Sequence, residues 1–173
     1  MKKFCLTGVS GVGKSSVIEE LKKKGITAFD ADVVDGLCHW ENNKSGERVE
    51  YYPGIGKAWL DENSYFCDVK KLKNILDEST GPVVVSGLVR NQEKFLDLFD
   101  KVFLLRCDKE IFLHRLSNRK TNDFAKDKSE QEHVLGYQEE FETEMLERGA
   151  IPIDTSASLE EVVGKIISEI QKK

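Results

Sequence analysis

Gly8-Val9-Ser10-Gly11-Val12-Gly13-Lys14-Ser15 follows an apolar run, Phe4-Cys5-Leu6-Thr7, and opens a helical pattern. The stretch satisfies G-x-x-x-x-G-K-[ST], and its setting between a strand and a helix is the one that the pattern requires. Glycines let backbone N–H groups turn inward and come close to phosphate oxygens. The start of the helix adds its positive end. Lys14 can then reach the outer phosphates of a nucleoside triphosphate, and the Ser15 hydroxyl can ligate Mg²⁺. Gly8, Val9, Ser10, Gly11, Val12, Gly13, Lys14, Ser15 and Ser16 are therefore the candidate nucleotide-binding residues.

Outward from this cradle, strand and helix patterns alternate. Residues 14–24 read as a helix stopped by Gly25, and residues 26–29 as a second strand. Asp68 can cap a helix to about residue 78. Residues 82–86, bounded by Gly81 and Gly87, form a short buried strand, and residues 101–106 another. A helix is expected over about 109–118. A capping box at Ser129 to Glu132 should open a long helix that Gly149 ends, residues 151–153 a last strand, and a second capping box at Ser158 to Glu161 the final helix. Such alternation implies a parallel sheet covered on both faces, an α/β domain. The stretch 39–66 fits poorly. It holds two tryptophans, Tyr51, Tyr52 and Pro53, and reads as a long irregular segment of the kind that is usually functional.

The 173 residues suit one domain, and 39% hydrophobic content suits a packed core. A formal net charge of −5 argues against nucleic-acid binding through a large basic surface. No apolar run is long enough to span a bilayer, and Met1-Lys2-Lys3 leads straight into the first strand. The cytoplasm is the expected compartment, without membrane or nucleic-acid partners, as a monomer or homodimer. Cys5, Cys38, Cys67 and Cys107 show no zinc or redox spacing and read as four reduced thiols with no shared role.

The chain resembles the P-loop small-molecule and nucleoside-monophosphate kinase group, which includes adenylate kinase, shikimate kinase and gluconate kinase. That resemblance implies a three-layer P-loop NTPase fold: a five-stranded parallel sheet, helices on both faces, an acceptor-binding insertion at about 33–67 and a short lid at about 119–128. It also implies ATP and Mg²⁺. Val83-Val84-Val85-Ser86-Gly87-Leu88-Val89-Arg90 is similar to the adenylate kinase segment that ends a strand with Asp-Gly-Phe-Pro-Arg. Arg90 falls on the arginine that binds the acceptor phosphate, whereas Ser86 replaces the family's aspartate and Val89 its proline. The resemblance over residues 102–119 places Arg115 against the adenine and Arg119 on the transferring phosphoryl group. Their spacing of four puts both on one helix face. The loop with Ser156 falls where the family touches the adenine ring.

Phe29-Asp30-Ala31-Asp32 is similar to the Asp-x-Asp of shikimate kinase. By that resemblance Asp30 holds water on Mg²⁺, and Asp32 accepts the proton of an acceptor hydroxyl. The other reading is that both aspartates cap the next helix. His39, Trp40 and Arg48 fall in the acceptor lobe, where aromatic faces could stack on a ring. Equally, Trp40 and Trp59 could pack the lobe onto the core. Arg90 points to a phosphate-bearing acceptor and Asp32 to a hydroxyl. A nucleotide or sugar phosphate with a free hydroxyl satisfies both, and the longer match at residues 90–119 leans toward a nucleotide-like acceptor. The alternatives are a hydroxyl-acceptor kinase and a nucleotide-binding regulatory ATPase. A GTPase is disfavoured, since no Asn-Lys-x-Asp segment is present.

Overall fold

The structure is a computed structural model that describes residues 2–118 and 123–172. Strand β1 (Lys3–Thr7) runs through the cradle into helix α1 (Lys14–Lys23) and strand β2 (Thr27–Asp30). An insertion follows with β3 (Cys38–Asn42), β4 (Arg48–Val49), α2 (Lys57–Glu62) and β5 (Asn63–Cys67). The chain continues through α3 (Val69–Glu78), β6 (Val83–Ser86), β7 (Lys101–Arg106), α4 (Lys109–Asn118), α5 (Lys128–Glu147), β8 (Ile151–Asp154) and α6 (Leu159–Gln171).

Among the described residues, β2, β6, β1, β7 and β8 form a five-stranded sheet in that order, with every neighbouring pair parallel. Alternation along the strands sends Phe4, Leu6, Val84, Phe103 and Leu105 to one face, where α1, α4 and α6 bury Leu21, Phe112, Leu116 and Ile166 against them. Val83 and Val85 point to the other face, against Leu72 and Leu76 of α3, while Cys5 and Leu104 meet Met145 of α5. Burial on both faces explains why these strands read as near-continuous apolar runs. The chain leaves β1 toward β2 on one side and later reaches β7 and β8 on the other. A crevice therefore opens at the carboxyl ends of the strands, beside β1.

Two expectations change. Residues 39–66 are not an irregular segment. β4, β3 and β5 form a three-stranded antiparallel sheet, with α2 between β4 and β5. Its strands hid because every residue of β3 is partly buried, so no clean apolar–polar alternation marks it. The long helix is capped two residues earlier than its proposed capping box: Asp127 caps it, accepting from the Ser129 amide at 2.8 Å. The capping box at Ser158 and Glu161 forms as expected.

Candidate functional site

The cradle turns between β1 and α1 with Gly8, Gly11 and Gly13 at φ 144°, 91° and 103°. At Gly8 a Cβ would stand 2.4 Å from the Leu105 carbonyl oxygen, so the loop lies tight on β7. At Gly11 it would stand 2.9 Å from the Phe112 carbonyl oxygen, which pins the loop to α4. Val9 and Val12 are fully buried and anchor the loop from below, while Ser10, Gly11, Gly13 and Lys14 remain partly open, and Ser15 and Ser16 are exposed. The Lys14 ammonium donates to the Gly8 carbonyl at 2.6 Å and to that of Val9 at 3.2 Å, curling over the concave side of the loop. This is a built anion site: glycine backbone, a helix start and a lysine on one hollow.

Beside it stand the two aspartates. Ser15 Oγ donates to Asp30 Oδ2 at 3.0 Å, and the Asp32 amide donates to Asp30 Oδ1 at 3.2 Å. The helix-capping reading is thus correct for Asp30 as well, since it caps the 3-10 turn Ala31–Val33. One capping carboxylate also reaches the cradle's hydroxyl. Hard oxygen donors at this spacing suit Mg²⁺, so Ser15 and Asp30 fit the role of holding it. Asp30 and Ser86 are register partners at the carboxyl ends of neighbouring strands. Where the resemblance expects an acid the strand carries Ser86, and the neighbouring strand end carries Asp30. Ser86 Oγ is buried with no hydrogen-bond partner among the described residues.

Asp32 is exposed at the surface of the cleft, yet protein atoms are dense around its carboxyl. Burial raises its pKa first and the negative Asp30 second; Lys14 and a hydrogen bond from Tyr65 pull the other way, and the result is a carboxyl pushed up to about 6. Lys14, Ser15, Asp30, Asp32 and Tyr65 therefore share one cluster. Tyr65 is held well above the ordinary phenol range, by burial and then by the charge of Asp32.

Alternation within the small sheet sorts the remaining candidates. Cys38, Trp40, Tyr65 and Cys67 occupy one face, the face that reaches Asp32. His39, Glu41, Ser64 and Phe66 occupy the opposite face, and Arg48, the register partner of Glu41, lies with them. His39 and Arg48, expected to bind the acceptor, are thereby turned away from Asp32. His39 Nε2 pairs with Glu41 at 2.5 Å, and Arg48 is exposed. Trp40 is on the right face but is ringed by aromatic neighbours: Tyr51, Trp59, Tyr65 and Phe124 at centroid distances of 5.5, 5.2, 5.2 and 6.3 Å. Trp40 and Trp59 hence pack the lobe. Arg90 is exposed, and its amide donates to the Tyr65 carbonyl at 2.7 Å, which sets its backbone beside β5.

On the nucleotide side, Arg115 donates to the Thr155 carbonyl at 2.7 Å and to Thr155 Oγ1 at 3.1 Å, and reaches the Val12 carbonyl at 3.4 Å. It ties the cradle to the loop after β8. The anchored loop residue is Thr155 rather than Ser156, whose amide is taken by Asp154 at 2.8 Å. Arg119 lies outside the described residues.

Glu130, unremarked in the sequence, is fully buried at the start of α5. Its carboxylate accepts from Tyr51 Oη at 3.2 Å, the Gly54 amide at 3.0 Å and the Ala125 amide at 2.8 Å. It joins the insertion, α5 and the described end of the expected lid, where the Phe124 ring lies tilted against that of Tyr51 at 5.6 Å. A glutamine there offers one acceptor oxygen and turns an NH₂ toward donors. Glu130→Gln should therefore destabilise the fold by about 1–3 kcal/mol in denaturant titration, with faster hydrogen exchange at the Gly54 and Ala125 amides. An unchanged midpoint and unchanged exchange would show that the carboxylate does not hold these segments.

The fold and cradle together define a P-loop protein with the α/β fold of the P-loop small-molecule kinases. A family model described as an AAA domain matches residues 5–136, and the chain belongs to that family. Among solved structures it is similar to a gluconokinase from Sinorhizobium meliloti 1021, at 19% identity and a TM-score of 0.57, covering 98% of this chain and 91% of that one. It is similar to a sugar kinase from Janibacter sp. HTCC2649, at 16% identity and 0.59, covering 99% and 96%. A deoxyadenosine kinase from M. mycoides with bound dATP matches at 16% identity and 0.62, covering 99% and 100%. No curated protein matches. No helix among the described residues is long and apolar enough to cross a membrane.

Proposed function

We propose that this protein transfers the γ-phosphoryl group of ATP, with Mg²⁺, to a hydroxyl group of a small acceptor that also carries an anionic group. The observation that carries the reading is the cluster in which Ser15 bonds Asp30, Asp30 holds the Asp32 amide, and Asp32 faces both Lys14 and Tyr65. A carboxylate at that place repels an incoming phosphate but serves a hydroxyl, which must lose a proton as its oxygen attacks phosphorus. The hydroxyl acceptor is thus favoured over a phosphate acceptor.

In this reading the cradle amides and Lys14 bind the outer phosphates, and Arg115 with the Thr155 loop borders the base. Mg²⁺, held through Ser15 and Asp30, neutralises charge on the phosphate oxygens when bound. Asp32 orients the hydroxyl and takes its proton while the new O–P bond forms and the bond to the ADP oxygen breaks. Tyr65 holds Asp32 in place. Lys14 stabilises negative charge that grows on the transferred group. The similar kinases are named for gluconate, a sugar and deoxyadenosine, all molecules with free hydroxyl groups, which supports this choice.

The experiment is a screen of sugar acids, sugar phosphates, nucleosides and nucleotides for acceptor-dependent ADP release with MgATP. ADP release that no acceptor increases would favour a regulatory ATPase instead. Arg90 supplies the second half of the reading. Arg90→Ala should raise KM for an anionic acceptor by about tenfold, as expected of one exposed charge contact worth roughly 1.4 kcal/mol, and leave KM for ATP unchanged. An equal rise for an uncharged analogue would remove Arg90 from anion recognition.

A further inference from the structure

Cys38 and Cys67 lie far apart in sequence, yet they are register partners across β3 and β5. The type of pairing follows from the backbone. The Asp68 amide donates to the Leu37 carbonyl at 2.8 Å, so the ladder bond lies just outside the cysteine pair. Cys67 turns its own backbone polar groups away: its amide donates to Asn91 Oδ1 at 3.0 Å, and its carbonyl accepts from Asn91 Nδ2 at 2.9 Å. The cysteines are therefore a non-hydrogen-bonded antiparallel pair, the kind in which opposing Cα atoms approach to about 4.5 Å with side chains on the same face. A disulfide needs a Cα separation of about 4.4–6.8 Å. Both thiols are free, and each lies near enough to perturb the ionisation of the other. Cys38 is half-buried and gives a way in, whereas Cys67 is 4% exposed.

This pair touches the phosphoryl-acceptor cluster. Tyr65 shares the face of the pair and lies close enough to both Asp32 and Cys38 to interact with each electrostatically. A line of neighbours thus runs from Asp32 through Tyr65 and Cys38 to Cys67.

We infer that Cys38 and Cys67 are an oxidisable pair, closed to a cross-strand disulfide by small disulfide oxidants in the folded protein, and that closure alters the acceptor side of the cleft through Tyr65. In the first step Cys38, the more accessible of the two, gives up its proton as its sulfur attacks the small disulfide, forming a mixed disulfide and releasing one thiol. In the second the Cys67 thiolate attacks the Cys38 sulfur, forming the protein disulfide and releasing the second thiol. Two protein thiols are oxidised, one small disulfide is reduced, and the protons leave with the two small thiols. Closure removes the Cys38 S–H and draws its sulfur to Cys67, so the surroundings of Tyr65, on the same face and beside Asp32, change.

The test treats the full chain with glutathione disulfide under native conditions. The intact protein should lose the mass of two hydrogen atoms, and a non-reducing peptide map should link Cys38 to Cys67. Tryptophan fluorescence should fall, because Trp40 shares the face of the pair and lies 5.2 Å from Tyr65. Reductant should reverse each change. Cys38→Ser should prevent the link, and Cys5→Ser should leave it intact. The wild-type map decides the pairing even where a variant folds poorly. A link between Cys5 and Cys67, which line a common cavity of about 20 Å³, would overturn the assignment. So would an unresolved mixed disulfide on Cys38, or no reaction. The kinetic arm rests on the phosphotransfer reading: turnover should fall several-fold in the oxidised form and return with reductant, and an unchanged rate there would overturn the coupling. If the reduced protein transfers no phosphoryl group, that reading fails while the peptide map still decides the cysteine pair.

Discussion

Lys14→Ala should lower kcat for acceptor-dependent ADP release at least about a hundredfold, the usual cost of removing one fixed donor from charge that develops in a transition state. The lysine is placed for this. Its ammonium bridges the Gly8 and Val9 carbonyls, so it is fixed over the hollow before a nucleotide enters. Fixed charge of this kind does not have to reorganise as the phosphoryl group moves. The fold should tolerate the change, because the loop is held from below by buried Val9 and Val12 and by the close approach of Gly8 to β7. Steady-state kinetics and a thermal melt on the same preparation separate the two effects. Wild-type turnover in a folded Lys14→Ala protein would sink the proposed mechanism.

Asp32→Asn should lower turnover by about 10²–10⁴, the range for loss of a positioned general base. The wild-type pH profile carries the companion signature. With the carboxyl raised to about 6, Asp32 is protonated and inactive as a base below that value and ionised above it. Turnover should therefore fall as pH drops through about 6, and the Asn variant should lose that limb. Stability runs the opposite way. A carboxyl whose folded pKa exceeds its unfolded one makes the folded state hold its proton more tightly. Its contribution to stability is largest at low pH and declines as pH rises from the ordinary carboxylate range through about 6. The stability of wild type relative to Asp32→Asn should decline across that window. A limb that persists unchanged in the variant would assign the titration to another group.

The parts legible in the sequence are those written in consecutive residues. The cradle needs no tertiary contact to be recognised, and burial on both faces made each central strand a plain apolar run. Asp30 and Asp32 were legible as a motif, though the bond from Ser15 to Asp30 is a tertiary fact. Tyr65 was not legible. It reaches Asp32 only because β5 folds back on β3, and without that register it is one aromatic among several. The same missing register let His39 and Arg48 pass as acceptor ligands. Once Trp40 is placed on the cleft face, period-two alternation turns His39 away, and the Glu41 pairing takes Arg48 with it. Glu130 drew no reading from the sequence, where it is one acid among the many of its helix. A faint signal existed, since it lies four residues before Val134, a spacing that shares the buried stripe of α5. Thr155 and Ser156 could not be told apart without Arg115, whose donors select the buried one.

The three donors gathered on Glu130 bear on how acceptor choice could be re-engineered. The insertion is fastened to α5, not merely attached to the main sheet at its two ends: Tyr51 and Gly54 bond Glu130, the Lys57 amide donates to Ser129 Oγ at 3.2 Å, and Asp61 pairs with His133 at 3.0 Å. Transplanting a foreign lobe at residues 33–67 alone would leave a buried carboxylate without two of its three donors and two α5 side chains without mates. A viable chimaera has to carry the first turns of α5 and the adjoining residues 123–128 as part of the same cassette, so the unit of exchange in this scaffold is discontinuous in sequence.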